Sequence, residues 1–181
     1  MPAQAPTLTT DRLILRAHRR DDFEALVQMW ADPQVTRHID GKPATRQESW
    51  FRLLRYGGLW PLLGFGYWAI TDRTSGRYLG DAGLADFQRG MGAGFDGVPE
   101  AGWALVADAA GQGLATEAAG AVLAWADAHL SAPSTVCMID PGNSASLRVA
   151  RKLGFIQTRP ASNGAASLLF ARDRRGRAGA D

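Results

Sequence analysis

Apolar positions along the chain follow two periods, and the switches between them lay out the elements. Leu13-Ile14-Leu15 after a polar leader predicts a short strand. Phe23, Leu26, Val27 and Trp30 recur at helical spacing over 21–31, and Asp32-Pro33 ends that helix. Thr45-x-x-Glu48 forms a capping box that opens a second helix carrying Trp50, Phe51, Leu53 and Leu54. Gly57-Gly58 is expected to stop it. Aromatic-rich 65–71 and its partner 77–87 read as a hairpin around Asp72-Arg73-Thr74-Ser75-Gly76. Residues 88–98 are glycine-rich and aperiodic, the pattern of a mobile loop. A strand over 100–107 precedes a helix over 113–129 with an apolar face of Leu114, Ala118, Val122 and Trp125. A strand over 135–139, a helix over 144–152 and strands over 155–158 and 167–171 complete the pattern. This order predicts the α+β class, a mixed central sheet with helices on its faces.

Composition narrows the field without naming a chemistry. The 181 residues contain no internal repeat or dividing linker, so 1–172 read as one domain, followed by a flexible arginine- and glycine-rich tail over 173–181. The formal charge is only +2, with no basic stripe interleaved with aromatics, which argues against a nucleic-acid partner. The single cysteine, Cys137, lies in a strand pattern and reads as a buried thiol in a reducing compartment. The N-terminal residues lack a signal-peptide pattern, and no apolar run approaches the length of a membrane span. A cytoplasmic protein with no membrane partner is expected. An edge strand near the C-terminus offers a surface for a homodimer.

The chemistry concentrates in Gly111-Gln112-Gly113-Leu114-Ala115-Thr116-Glu117, between a strand and a helix. A glycine-rich turn that opens a helix presents bare backbone N–H groups at the positive end of the helix dipole, where they hold phosphate. Three readings fit: a dinucleotide fingerprint with Asp140 as the acidic partner, a purely structural turn, or an acyl-coenzyme A pyrophosphate site. The first is weakened because helices and strands precede the turn, whereas a dinucleotide unit normally begins with it.

Three segments in order carry a resemblance. Thr10 to Arg16 has the form T-x-R-L-x-L-R, Glu100 to Leu105 leads into G-x-G-x-A-T-E, and Asn143 to Phe155 has the form N-x-x-S-x-R-V-x-x-K-L-G-F. Together they resemble the GNAT N-acetyltransferase superfamily, most closely its RimJ/RimL-like branch, over nearly the whole chain. The resemblance implies a sheet whose central strands splay apart and an acetyl-coenzyme A cosubstrate. The amides of Gly111, Gln112, Gly113, Leu114, Ala115 and Thr116 would hold the pyrophosphate. Backbone groups of Leu105 and Val106, with Asn143 opposite, would hold the pantetheine. The amine acceptor, a protein N-terminus or a small molecule, would attack the thioester directly, with Glu100 as candidate base. Many superfamily members place a tyrosine acid where this chain has Ala150, so Ser146, one turn earlier, becomes the candidate acid. An arginine pairing at a strand end is the competing use of Glu100, and capping of backbone is that of Ser146. Ala110 replaces a side chain that supports the turn in relatives.

The rival of another class is a non-catalytic acyl-coenzyme A-binding module on the same fold. His18, His38 and His129 lack metal-ligand spacing and read as surface or packing residues, and no metal is expected. Trp30, Trp50, Trp60, Tyr67 and Trp68 read as core, some of them facing an acceptor pocket. Arg148, Arg151 and Lys152 read as a solvated helix face, and loop 88–98 as the place of acceptor selection.

Overall fold

The computed structural model describes residues 3–92, 94–160 and 167–174. Eight strands form one mixed sheet in the order β1-β2-β3-β4-β5-β6-β8-β7. They are β1 (Leu8–Thr9), β2 (Leu13–Arg16), β3 (Tyr67–Asp72), β4 (Tyr78–Ala85), β5 (Glu100–Leu105), β6 (Ser134–Ile139), β7 (Ile156–Pro160) and β8 (Leu168–Asp173). All neighbours are antiparallel except β5 and β6. The helices are α1 (Phe23–Ala31), α2 (Pro33–Thr36), α3 (Arg46–Leu63), α4 (Leu114–His129) and α5 (Ser144–Lys152).

Two cores follow from the two faces of the sheet. On one face, Leu26, Met29 and Trp30 of α1 and Leu53 and Tyr56 of α3 bury against Tyr67 and Ala69. On the other, Val122, Leu123 and Trp125 of α4 bury against Leu13, Leu15, Trp68 and Ile70. The β4–α4 side is closed by three mutually edge-on indoles, Trp60, Trp68 and Trp125, with centroids 4.6 to 5.4 Å apart.

Gly57-Gly58 does not stop the second helix. α3 runs through both glycines and Pro61 to Leu63, and ends at Gly64 in the left-handed conformation. The reason is tertiary. Leu53 and Tyr56 serve one core and Trp60 the other, and only an unbroken helix delivers all three. Burying a large apolar side chain is worth roughly 1.5–3 kcal/mol for each of the three, against about 1 kcal/mol for each of the two mid-helix glycines. The predicted capping box holds, with Glu48 N–H donating to Thr45 Oγ1 at 3.2 Å. Asp32-Pro33 ends the first helix as expected, and Asp32 then caps the short α2 by accepting from Gln34 N–H.

Loop 88–98 is tied down at several described points. Met91 and Phe95 are buried with Val136 and Leu169 over the end of the sheet. The segment expected as a tail contributes Asp173 to β8, and its part from residue 175 lies outside the described residues. Among the described residues, no helix is long and apolar enough to cross a membrane.

Candidate active site

The glycine turn folds as a cradle. Gly111 and Gly113 both have left-handed backbone, with φ of 78° and 80°, and Gly113 is the N-cap of α4. Glu117 N–H is the first helical amide to find an internal acceptor, the Gly113 carbonyl at 3.1 Å. The amides of Gly111 through Thr116 donate to nothing among the described residues. Six consecutive N–H groups at a helix N-terminus are a fitting host for a pyrophosphate. The Gln112 side chain folds back onto the Asp108 carbonyl at 2.9 Å, so Gln112 contributes its amide rather than its side chain.

The first motif meets the second in space. Glu117 accepts from Thr10 Oγ1 at 2.6 Å and from Arg12 Nε at 2.7 Å, and Arg12 Nη1 donates to the Gln112 carbonyl at 2.9 Å. A carboxylate in the first turn of α4 would repel a phosphate. Arg12 neutralises it and braces the turn, and these partners hold the Glu117 carboxyl below its ordinary pKa against the cost of its desolvation. Sequence reasoning recorded both motifs but had no signal that they touch.

Next to the cradle the sheet opens. β5 and β6 pair at Glu100 and Val136, with Val136 N–H donating to the Pro99 carbonyl at 3.0 Å, and part beyond that point. Strand alternation decides which amides face the gap. Val106 N–H donates across to the Leu79 carbonyl at 2.9 Å, so residues 100, 102 and 104 also turn their backbone groups toward β4. The groups of Trp103 and Leu105 point toward β6. This corrects the expectation for Val106, whose N–H is spent on Leu79 and whose carbonyl accepts from Ala109 N–H at 3.0 Å. Trp103 takes its place beside Leu105 in the gap. Across from them, Asn143 caps α5 by accepting from Ser146 N–H at 3.0 Å, which leaves its amide NH₂ available. The Ser146 hydroxyl makes no hydrogen bond among the described residues, so it is not spent on backbone. Asn143 and Ser146 both line a cavity of about 270 Å³ that reaches through the gap to the α1–α3 face.

The cavity holds Glu100 at its inner end. The carboxylate is 6% exposed and receives two bonds from Arg89, at 3.0 and 3.1 Å. The strand-end arginine pairing is therefore present, supplied by loop 88–98. Desolvation raises the Glu100 pKa above its ordinary value despite Arg89. Between Glu100 and Ala104, the paired Gly83 and Gly102 clear a path for the Tyr67 ring. A Cβ at Gly102 would sit 2.1 Å from the Tyr67 hydroxyl oxygen. That hydroxyl is pushed up in pKa, chiefly by burial, and stays protonated.

Asp81, opposite Ala104, is the polar floor that the sequence did not disclose. It is wholly buried and accepts from Tyr78 at 2.5 Å and Trp30 at 3.1 Å, with His18 Nε2 at 2.7 Å. His18, expected as a surface or packing residue, is thus a buried polar partner, and its ring packs against Tyr56 at a tilt of 33°. Of the other histidines, His38 lies 3.3 Å from Asp140 at the cavity wall, and His129 stacks on Trp125. Cys137 is buried on β6, and burial raises its thiol pKa. Arg148, Arg151 and Lys152 are exposed on α5, as expected of a solvated face. No group of three or more metal-ligating side chains occurs among the described residues.

The chain is similar to known proteins over most of its length. Residues 12–156 match the family model described as "Acetyltransferase (GNAT) domain". A solved protein from Bordetella pertussis, assigned to the GnaT acetyltransferase family, is 36% identical, with a TM-score of 0.81, covering 93% of this chain and 99% of that one. YkkB of Bacillus subtilis (strain 168), itself uncharacterized, is 31% identical over 152 residues, 81% of this chain and 83% of that protein. RimL, a ribosomal L7/L12 acetyltransferase solved with coenzyme A, shares the fold at a TM-score of 0.74 and 18% identity, covering 93% and 98% of the two chains. With the splayed sheet and the amide cradle, these likenesses establish that the chain belongs to the GNAT acetyltransferase domain family.

Proposed function

We propose that this enzyme moves the acetyl group of acetyl-coenzyme A to a primary amine by direct attack on the thioester. The observation that carries this reading is the run of unused amides from Gly111 to Thr116 beside the β5–β6 gap. The ordered motifs around Arg12, Gly113 and Asn143 support the RimJ/RimL-like branch.

Coenzyme A supplies an activated acyl group, and the chain's residues do the rest. Leu105 N–H faces the gap where a thioester carbonyl would lie, and one such donor contributes roughly 2.7–4 kcal/mol to an oxyanion-like transition state. An attacking amine must be neutral, and an ionised Glu100 accepts its proton. Glu100 lies five residues from Leu105, roughly 16 Å along an extended strand at ~3.3 Å per residue, so the proton travels through water. The Tyr67 hydroxyl above Gly102 stands on that route. As the C–S bond breaks, the Ser146 hydroxyl protonates the departing sulfur and regains a proton from solvent.

Calorimetric titration of acetyl-coenzyme A, with NAD as the control ligand, tests the cradle, and thiol release with a panel of amines tests turnover. Selective binding with thiol release is expected; a protein that binds NAD and ignores acetyl-coenzyme A would sink the proposal. Ser146→Ala should lower kcat by at least tenfold while acetyl-coenzyme A affinity changes by less than about twofold, since a proton donor acts only as the bond breaks. Unchanged kcat would remove Ser146 as the acid.

A further inference from the structure

One arginine of the acceptor cavity has no carboxylate partner among the described residues. Each carboxylate in its wall has a cationic or imidazole partner. Asp40 takes Arg52 at 2.8 Å, Glu100 takes Arg89 at 3.0 Å, Asp81 takes His18 at 2.7 Å and Asp140 takes His38 at 3.3 Å. The cavity wall also contains Arg55, on α3 one turn beyond Arg52. No carboxylate lies within salt-bridge distance of Arg55 among the described residues, and it makes no hydrogen bond there. Its guanidinium stands 5.5 Å from the Phe87 ring centre and 5.8 Å from that of Tyr56. Arg89 lies over the same Phe87 ring at 4.4 Å. Two guanidinium groups thus stand against one ring at the cavity wall, and only one of them, Arg89, has a carboxylate partner among the described residues.

Building on the acetyl-transfer reading above, we propose that the amine acceptor carries its own anionic group, a carboxylate or phosphonate, and that Arg55 binds it. A guanidinium presents parallel N–H donors that match such a group in a two-point contact, and a charge-assisted bond of this kind is about twice as strong as a neutral one. The Tyr67 hydroxyl, buried, protonated and without a hydrogen-bond partner among the described residues, is a second donor in the same wall. This selects an amino-acid-like small molecule. A protein N-terminus presents a neutral peptide carbonyl next to its amine and matches Arg55 only where a nearby side chain is acidic.

The test compares α-, β- and γ-amino acids and aminophosphonates with their uncharged carboxamide or ester counterparts. Binding to the intact protein is read by calorimetry with coenzyme A present, and turnover by thiol release, with rates expressed per neutral amine. At least one acid is expected to bind, and to react, about tenfold or more better than its uncharged counterpart. Arg55→Ala should bring that acid down to the level of its counterpart, and Arg55→Lys should restore part of the preference. Phosphonates outranking carboxylates would identify the anion without changing the role of Arg55. The proposal is overturned if no acid is preferred, or if Arg55→Ala weakens acids and uncharged amines alike. Acetylation of uncharged amines alone would overturn it while leaving the acetyl-transfer reading intact. Failure of acetyl-coenzyme A to bind would instead sink that reading, and the acid preference would then be judged on direct binding alone.

Discussion

Gly113→Trp is expected to lower acetyl-coenzyme A affinity by about a hundredfold or more. Gly113 occupies left-handed backbone at φ 80°, where a residue with a Cβ is strained by roughly 1–2 kcal/mol. The glycine's hypothetical Cβ would point toward Arg12 Nη2, 3.6 Å away, so a large ring there also disturbs the brace on Glu117. Turning even two cradle amides away from a pyrophosphate loses two charge-assisted hydrogen bonds, each worth roughly 1.5–3 kcal/mol. The sum of about 3–6 kcal/mol corresponds to a hundredfold or more in Kd. Calorimetry reads the loss, and a circular-dichroism melt run alongside separates it from unfolding. A folded variant with unchanged affinity would mean that the phosphates lie elsewhere.

Glu100→Gln should lower kcat by about a hundredfold while acetyl-coenzyme A binding persists, because the change removes a proton acceptor and leaves the shape intact. The pH profile carries the sharper signature. Burial raises the Glu100 pKa above the ordinary glutamate value of about 4.3, and the active form is the ionised one. Activity should therefore rise with pH through a limb above that value, and Glu100→Gln should abolish the limb. Arg89 opposes the shift, so Arg89→Gln should move the limb further up in pH. A limb that survives Glu100→Gln would mean that Glu100 only anchors loop 88–98 through Arg89.

How far the site was legible in the chain depended on the range of the interaction. Thr45 and Glu48 find each other across three residues, and the two glycines around Gln112 announce left-handed turns by their own backbone freedom. Both features are legible in the chain because a local cause has a local effect. Gly57-Gly58 was misleading for the same reason: its local cost is real, but Trp60 lies beyond it and its indole belongs between Trp68 and Trp125. Val106 was an error of parity. Adjacent strand residues face opposite neighbours, and only the register against β4 showed that Val106 faces Leu79.

The sequence by itself determined the order of the longer helices and strands, the mixed α+β architecture and the glycine turn before α4, because periodicity and turn chemistry are properties of consecutive residues; β1 and α2, of two and four residues, are too short to show a period. Tertiary structure alone decided which distant groups share one wall. His18 and Asp81 are separated by 63 residues along the chain, and Thr10 and Glu117 by 107. Arg89 reaches Glu100 from a loop with no period of its own, while Arg55 emerges as the guanidinium without a carboxylate only once the other pairs are in place. Ion pairing and burial depend on distance through space, and charge near a cavity is settled by what remains after every nearer pair has formed.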